Sequence, residues 1–402
     1  MPALVPTPHG LCFASVTLAL LVVSAAVGAR EPRAPLQPAG DTRLQQPSQP
    51  ELGPAPAQIA KLPSLQETAR RLLVEARPVL GGIVAVQAAS GQIVAFQEYR
   101  RRGQTGHPLT QAITPAASVF KLVTTAALLE RTRVTPATRV CIDGGERDIE
   151  RAHLLIPPPG PSRSCRPFGE ALGFSRNAVF AQLATEHLLR SDVIELAERL
   201  GFNRNLSFER AAQMGTLSVP YNDLQFARTA VGFRGSKLSV LGATQLAYVV
   251  ANGGVLRTMT LRAPSSPIPT PLEPLTPERV LLPATADRLR RMMEVTVHSG
   301  TSLEAFTAPG GGSYLGPIRA AGKTGTLQPD AHAPTTSWFV GFAPSRAPEL
   351  IVAVMLDNSE VWRRKANHVA RDLMRAYFHG RPRVSHPFEE DPALTAQAAP
   401  SP

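Results

Sequence analysis

Apolar strand-like runs at both ends of one patterned region constrain this chain more than any other feature. "GGIVAVQAASGQIVAFQ" (81–97) is rich in Ile and Val and reads as two strands turning at Ser90-Gly91. "PIRAAGKTGT" (317–326), "SWFVGFAP" (337–344) and "ELIVAVML" (349–356) read as three more. Helical patterns lie between and after them, at about 175–188, 191–200, 222–230, 240–252, 284–296 and 362–378. A further helix is expected from Thr114 as N-cap and Pro115 as first helical residue through about Glu130. Strand hairpins at both ends with helices between predict one domain whose ends meet in a single antiparallel sheet. No repeat interrupts it, and "SSPIPTPLEPLTPE" (265–278) reads as an internal Pro-rich loop, because strong elements resume after it.

The flanks are of another kind. Residues 1–29 contain no Asp, Glu, Lys or Arg, and Leu11 to Ala29 is continuously apolar or small. At about 1.5 Å per residue the run just crosses a hydrocarbon core of roughly 30 Å. It fits a cleaved secretory signal ending at Val27-Gly28-Ala29 equally well, so signal and retained anchor both stand, and either implies export. "HGLC" before Cys12 gives no lipidation pattern. Residues 30–63, rich in Pro, Gln and Ala, read as an extended linker, and 381–402 as a disordered tail, leaving 64–380 as the folded domain.

The net charge of +11 comes from scattered arginines, with no basic cluster interleaved with aromatics, which argues against a nucleic-acid partner. Attraction to anionic envelope polymers and plain solubility are the remaining readings. Cys141 and Cys165 lie 24 residues apart, a disulfide candidate worth about 3 kcal/mol by loop closure, with two free thiols as the alternative. His and Cys form no cluster with metal-ligand spacing, and no metal or cofactor is expected.

"PAASVFKLVTTAALLE" (115–130) places a lysine inside an apolar helical pattern. A buried ammonium is costly unless paired or deprotonated. Lys121 follows Ser118 by three residues, so both side chains share one helix face. A serine hydroxyl becomes a nucleophile when a neighbouring base takes its proton, and burial is what makes a lysine such a base. The chain has only five lysines against 37 arginines, so lysine stands where a removable proton matters. Two further stretches carry compatible chemistry. "FSRNAVF" sets Ser175 and Asn177 at a helix start, where they read either as a helix cap or as a hydroxyl and carboxamide facing the first pair. "AAGKTGT" places Lys323, Thr324, Gly325 and Thr326 on a strand, where the cation and hydroxyl suit a carboxylate and the glycine admits close backbone approach. Each of S-x-x-K, S-x-N and K-T-G occurs once.

This triad of motifs, in this order, resembles the transpeptidase domain of penicillin-binding proteins. The resemblance covers roughly residues 80–378, through "ASVFKLVTTAALLERTRVTPATRV", "EALGFSRNAVFAQLATEHL", "RTAVGFRGSKLSVLGATQLAYVVANGG" and "GPIRAAGKTGT" followed by "SWFVGFAP". It implies an α/β fold of the α+β type, with a five-stranded antiparallel sheet from both chain ends flanked by helices, an all-helical subdomain, and the β-lactamase/transpeptidase architecture. It implies that Ser118 attacks a D-Ala-D-Ala stem peptide or a β-lactam to form an acyl-enzyme, with Lys121 as general base. Ser175 is then a proton relay, Asn177 holds Lys121 and the substrate amide, Lys323 and Thr324 bind the terminal carboxylate, and the backbone N–H groups of Ser118 and Thr326 form the oxyanion hole.

The implied partners are peptidoglycan stem peptides, β-lactam antibiotics as inhibitors and a separate glycosyltransferase, at the periplasmic face of the cytoplasmic membrane. The polymerising glycosyltransferase domain of bifunctional relatives and the long N-terminal module of monofunctional ones are not expected before residue 64. Arg176, in the middle of the second motif, is bulkier and more basic than many members carry; it either alters selectivity or faces solvent. The same scaffold also serves serine β-lactamases and D,D-carboxypeptidases. No "ExxLN"-like stretch supplies the deacylating glutamate of one β-lactamase class. A non-catalytic β-lactam sensor or cell-wall scaffold is the alternative outside enzymes.

Overall fold

The structure is a computed structural model that describes residues 63–379 apart from 207, 210, 262–275, 331, 360 and 361. The expected leader, almost all of the linker, most of the Pro-rich loop and the tail lie outside the described residues. Among the described residues no helix is long and apolar enough to cross a membrane.

Helix α1 (Pro63–Ala76) comes first, followed by β1 (Leu80–Gln87) and β2 (Ile93–Arg100). α1 is not among the expected helices, although Leu65, Ala69, Leu72, Leu73 and Ala76 form a helical stripe, and all five are buried. A 3-10 turn at Ala117–Phe120 leads into α2 (Lys121–Arg131). β3 (Arg139–Ile142) and β4 (Ser164–Pro167) form a separate antiparallel hairpin in which Cys141 lies opposite Cys165 and is bonded to it. Then come α3 (Asn177–His187), α4 (Arg190–Arg199), α5 (Asp223–Ala230), α6 (Val240–Ala251) and α7 (Pro283–His298). β5 (Ala321–Leu327), β6 (Thr335–Ala343), β7 (Leu350–Asn358) and α8 (Ala366–His379) complete the order.

The main sheet has the order β5-β6-β7-β1-β2, with every neighbouring pair antiparallel. The two ends of the domain meet where β7 pairs with β1, with Ile83 opposite Val354. Period-two alternation explains why these strands read as unbroken apolar runs. Leu350, Val352, Val354 and Leu356 of β7, with Ile83 and Ala85 of β1, join the core under α1 and α8. Ile351, Ala353 and Met355, with Val84 and Val86, join the other core, which includes α6. With helices on both faces, neither set of side chains reaches water. That second core continues into a helical lobe in which every residue of α2 from Lys121 to Leu129 is buried.

Residues 114–120 depart from expectation. Thr114 and Pro115 do not cap a helix; they pair with Leu238 and Lys237 as a two-residue bridge. Ala116 N–H donates to the Ser236 carbonyl at 3.1 Å, and Trp338 Nε1 donates to the Pro115 carbonyl at 2.8 Å. The Pro115 carbonyl, which a helix starting there would give to a backbone N–H one turn on, is thus taken by Trp338, and the bridge to Ser236–Leu238 holds the segment extended. Ala117 then has φ +47, outside the right-handed helical region, so α2 begins only at Lys121.

Candidate active site

Three elements converge on one buried amine. Ser118 lies in the 3-10 turn and Lys121 at the first position of α2, so the i, i+3 spacing survives the changed local structure and brings Lys121 Nζ to 2.7 Å from Ser118 Oγ. Asn177 opens α3, but its side chain does not cap that helix: its Oδ1 accepts from Lys121 Nζ at 2.6 Å. Ser175 Oγ stands 3.4 Å from the same nitrogen. The Phe180 ring, one turn along α3, lies 5.6 Å from it.

Lys323 reaches the cluster from β5. Its Nζ donates to Ser175 Oγ at 2.9 Å and to the Thr324 carbonyl at 2.7 Å, so one serine hydroxyl bridges two lysines. Both lysine side chains are fully buried. Burial, with a smaller contribution from the nearby Lys323 charge, holds Lys121 well below the ordinary lysine range. Burial alone pushes Lys323 down to about 7. Among the described residues no carboxylate counters either shift. A neutral Lys121 keeps two N–H bonds, which suit Asn177 Oδ1 and Ser175 Oγ, and one lone pair, which suits the Ser118 proton. Chemically, the arrangement sets an amine that burial disposes to be neutral against a serine hydroxyl, with a second, titratable amine across a shared hydroxyl; it has the parts that a base and a nucleophile need.

The turn that presents Ser118 is held under strain. Ala117 (φ +47) and Ser175 (φ +57) both occupy the left-handed region, at about 1–3 kcal/mol each. Gly232, two residues beyond α5, closes on the first of them. At φ +86 it sits where a Cβ would lie 1.8 Å from the Ala117 carbonyl oxygen, so only glycine allows that contact. From the other side, a Cβ on Gly325 would lie 3.3 Å from Ala117 Cβ and 3.4 Å from Ser118 N, so this glycine lets β5 approach the Ser118 backbone. Thr324 and the exposed Thr326 share this strand edge.

Some contributors carry no signal in motif spacing. Thr301 donates its N–H to the Gly173 carbonyl at 3.1 Å, and its hydroxyl lies 2.6 Å from that of Thr324, which ties the loop before Ser175 to β5. Gly232 and Phe180 stand in ordinary apolar contexts in the sequence. Glu146, in the loop between β3 and β4, accepts from Asn177 Nδ2 through its backbone carbonyl, which no side-chain pattern reports. Arg176 points away from the lysines: its guanidinium bonds Glu146 at 2.5 Å and lies over the Phe174 ring.

A family model described as the penicillin binding protein transpeptidase domain matches residues 81–378. Peptidoglycan D,D-transpeptidase PbpA of Mycobacterium tuberculosis is 25% identical over 323 residues, covering 70% of this chain and 62% of that protein. Stage V sporulation protein D of Bacillus subtilis is 26% identical over 256 residues, covering 60% of this chain and 38% of that protein. The chain thus spans less than two thirds of the length of these curated relatives. Among solved structures, the transpeptidase domain of Burkholderia pseudomallei penicillin-binding protein 3 superposes with a TM-score of 0.63 at 20% identity, covering 82% of this chain and 98% of that one. The penicillin G acyl-enzyme complex of M. tuberculosis penicillin-binding protein A gives 0.60 at 20%, covering 78% of each chain.

Two stability measurements test this account of the site. Gly232→Ala drives a methyl into the Ala117 carbonyl and is expected to lower unfolding free energy by on the order of 3 kcal/mol in denaturant titration. Unfolded lysine keeps its proton up to about pH 10.4, whereas folded Lys323 releases it near 7. Between those values the unfolded chain binds more protons, so stability climbs with pH by up to about 1.4 kcal/mol per unit from this group. Lys323→Met is expected to flatten that climb, read as the difference in denaturant midpoint between about pH 7 and about pH 9.

Proposed function

This chain belongs to the penicillin binding protein transpeptidase domain family, and from that premise we propose that it is a serine D,D-transpeptidase that cross-links peptidoglycan stem peptides. The observation that carries the reading is the fully buried, uncompensated Lys121 amine 2.7 Å from Ser118 Oγ. Neutral Lys121 takes the Ser118 proton as Oγ attacks the carbonyl of the penultimate D-Ala. The negative charge that develops on the carbonyl oxygen is met by the backbone N–H groups of Ser118 and Thr326. Preorganised donors of this kind are worth on the order of 3 kcal/mol in acyl transfer. As the tetrahedral adduct collapses, the proton passes from Lys121 through Ser175 to the departing amine of the terminal D-Ala. Ser175 Oγ lies within reach of both lysine amines, which suits that relay.

Lys323, Thr324 and Thr326 hold the substrate's terminal carboxylate. Binding of that anion draws the Lys323 amine, poised at about 7, into its charged form. Asn177 holds Lys121 in place and bonds the substrate amide. An amine of a second stem peptide then takes the acyl group from Ser118, forming the cross-link and returning the proton along the same path. β-Lactams acylate the same serine, as the penicillin G acyl-enzyme of the M. tuberculosis relative supports. The reading places the domain at the periplasmic face of the cytoplasmic membrane, beside a separate glycosyltransferase that makes the glycan strands.

Fluorescent penicillin tests this directly. Stable labelling of the protein is expected, and Ser118→Ala should abolish it. Lys121→Arg should reduce acylation by at least about a hundredfold, because arginine keeps the charge but does not release a proton. Rapid loss of label with drug turnover would assign the site to a β-lactamase, and absence of labelling would overturn both enzyme readings.

A further inference from the structure

The hairpin Arg139–Pro167 is closed at its base by the Cys141–Cys165 disulfide and reaches to the start of α3. Its loop docks there through several contacts. Gly145, at φ +71, lies so close to α3 that a Cβ would come within 2.7 Å of Ala178 Cβ. The Glu146 carboxylate accepts from Arg176 at 2.5 Å. Ile149 is fully buried, and Arg228 of α5 donates to its carbonyl at 3.0 Å and to Asp148 at 3.2 Å. Between Gly145 and Ile149 the Glu146 carbonyl accepts from Asn177 Nδ2.

That last bond decides which way the Asn177 carboxamide faces. A carboxamide has one oxygen acceptor and one NH2 donor. With its NH2 on the Glu146 carbonyl, its oxygen faces Lys121 and accepts from the amine. Turned over, it would set donor against donor at Lys121 and acceptor against acceptor at Glu146. The backbone of the hairpin loop therefore fixes the partner of the base, and the disulfide closes the only covalent loop that holds that backbone besides the chain itself.

We propose that the disulfide-closed hairpin is a positioning element for acylation: through Gly145 and the Glu146 carbonyl it orients Asn177 on Lys121, and opening Cys141–Cys165 slows attack by Ser118 while leaving carboxylate binding on β5 intact. This rests on the acyl-enzyme reading above. Both cysteines are partly exposed, so a small dithiol reaches them. Reduction breaks the S–S bond, gives two protein thiols and converts the dithiol to its own disulfide. The residues that surround the Lys121 amine are Ser118, Ser175, Asn177, Phe180 and Lys323, and the only charge among them belongs to Lys323.

The experiment compares acylation by fluorescent penicillin across a concentration series in four proteins: the oxidised wild type, the dithiol-reduced wild type, Cys141→Ser/Cys165→Ser, and Gly145→Ala. The expected result is an acylation rate constant lowered at least about tenfold in the last three, with the dissociation constant of the preceding complex unchanged within about twofold. Losing the Asn177 oxygen removes a partner that favours the ammonium form of Lys121. The acid limb of the rate profile should therefore move to lower pH, a shift that loosening of the fold alone would not cause. Reoxidation of the reduced protein should restore both the rate and the limb. Gly145→Ala keeps the disulfide, so it decides the question if opening the bridge unfolds the domain. Equal rate constants and an unmoved acid limb in the variants, beside a wild type that labels, overturn the hairpin's role alone. A wild type that takes no label overturns the acyl-enzyme reading on which it rests.

Discussion

Burial of the Lys121 amine, with no carboxylate among the described residues to answer it, is the constraint around which the helical lobe and the sheet are arranged. A lysine in that position is tolerated in its neutral form, and the neutral form is the one that accepts a proton. The surrounding groups are matched to it: a hydroxyl on its lone pair, a carboxamide oxygen and a second hydroxyl on its N–H bonds, and an aromatic ring over its remaining side. None of these partners is charged. Lys323, a cation nearby, disfavours a second charge and strengthens the effect of burial. A carboxylate in the same place would hold Lys121 as an ammonium, the form that cannot accept a proton.

Strain concentrates around the lysine pair. Ala117 and Ser175 hold left-handed backbone on the two sides of the lysine pair, and neither is glycine. The surrounding contacts over-determine the first of them. Trp338 holds the Pro115 carbonyl, Gly232 presses on the Ala117 carbonyl, and Gly325 brings β5 against the same turn. The turn is thus fixed by residues from α5's far side, from β5 and from β6, distant in sequence but adjacent in space. This pattern, with local energy spent to aim a side chain and recovered in packing elsewhere, is typical of functional sites.

Much of the candidate site was legible because its side chains sit at spacings that a helix or strand makes meaningful. Ser118 and Lys121 share a face at i, i+3 whether the intervening backbone is α or 3-10. For that reason the pairing reads correctly from the sequence even though Thr114 and Pro115 form a bridge with Lys237 and Leu238 where a helix start is expected. The helix expectation failed because tertiary hydrogen bonds to Ser236 and Trp338 outcompeted local propensity. Helix α1 shows the opposite: its stripe from Leu65 to Ala76 is visible in the sequence, yet it follows directly on Pro-rich chain and its apolar face acquires meaning only under α8 and the sheet. Thr301, Gly232 and the Glu146 carbonyl were out of reach of motif reading, since each acts through a contact with a distant segment.

By itself the sequence determined the five strands of the main sheet, most of the helices between and after them, and the candidate serine, lysine and asparagine side chains, because those follow from side-chain period and from the chemistry of those residues. Only the tertiary structure decided that Ser175 lies between two amines, that Lys323 releases its proton near 7, that Cys141 and Cys165 are joined, and that Asn177 faces Lys121 with its oxygen. These properties depend on distance and on exclusion of water, and both are set by segments that meet only when the domain's first and last strands close the sheet.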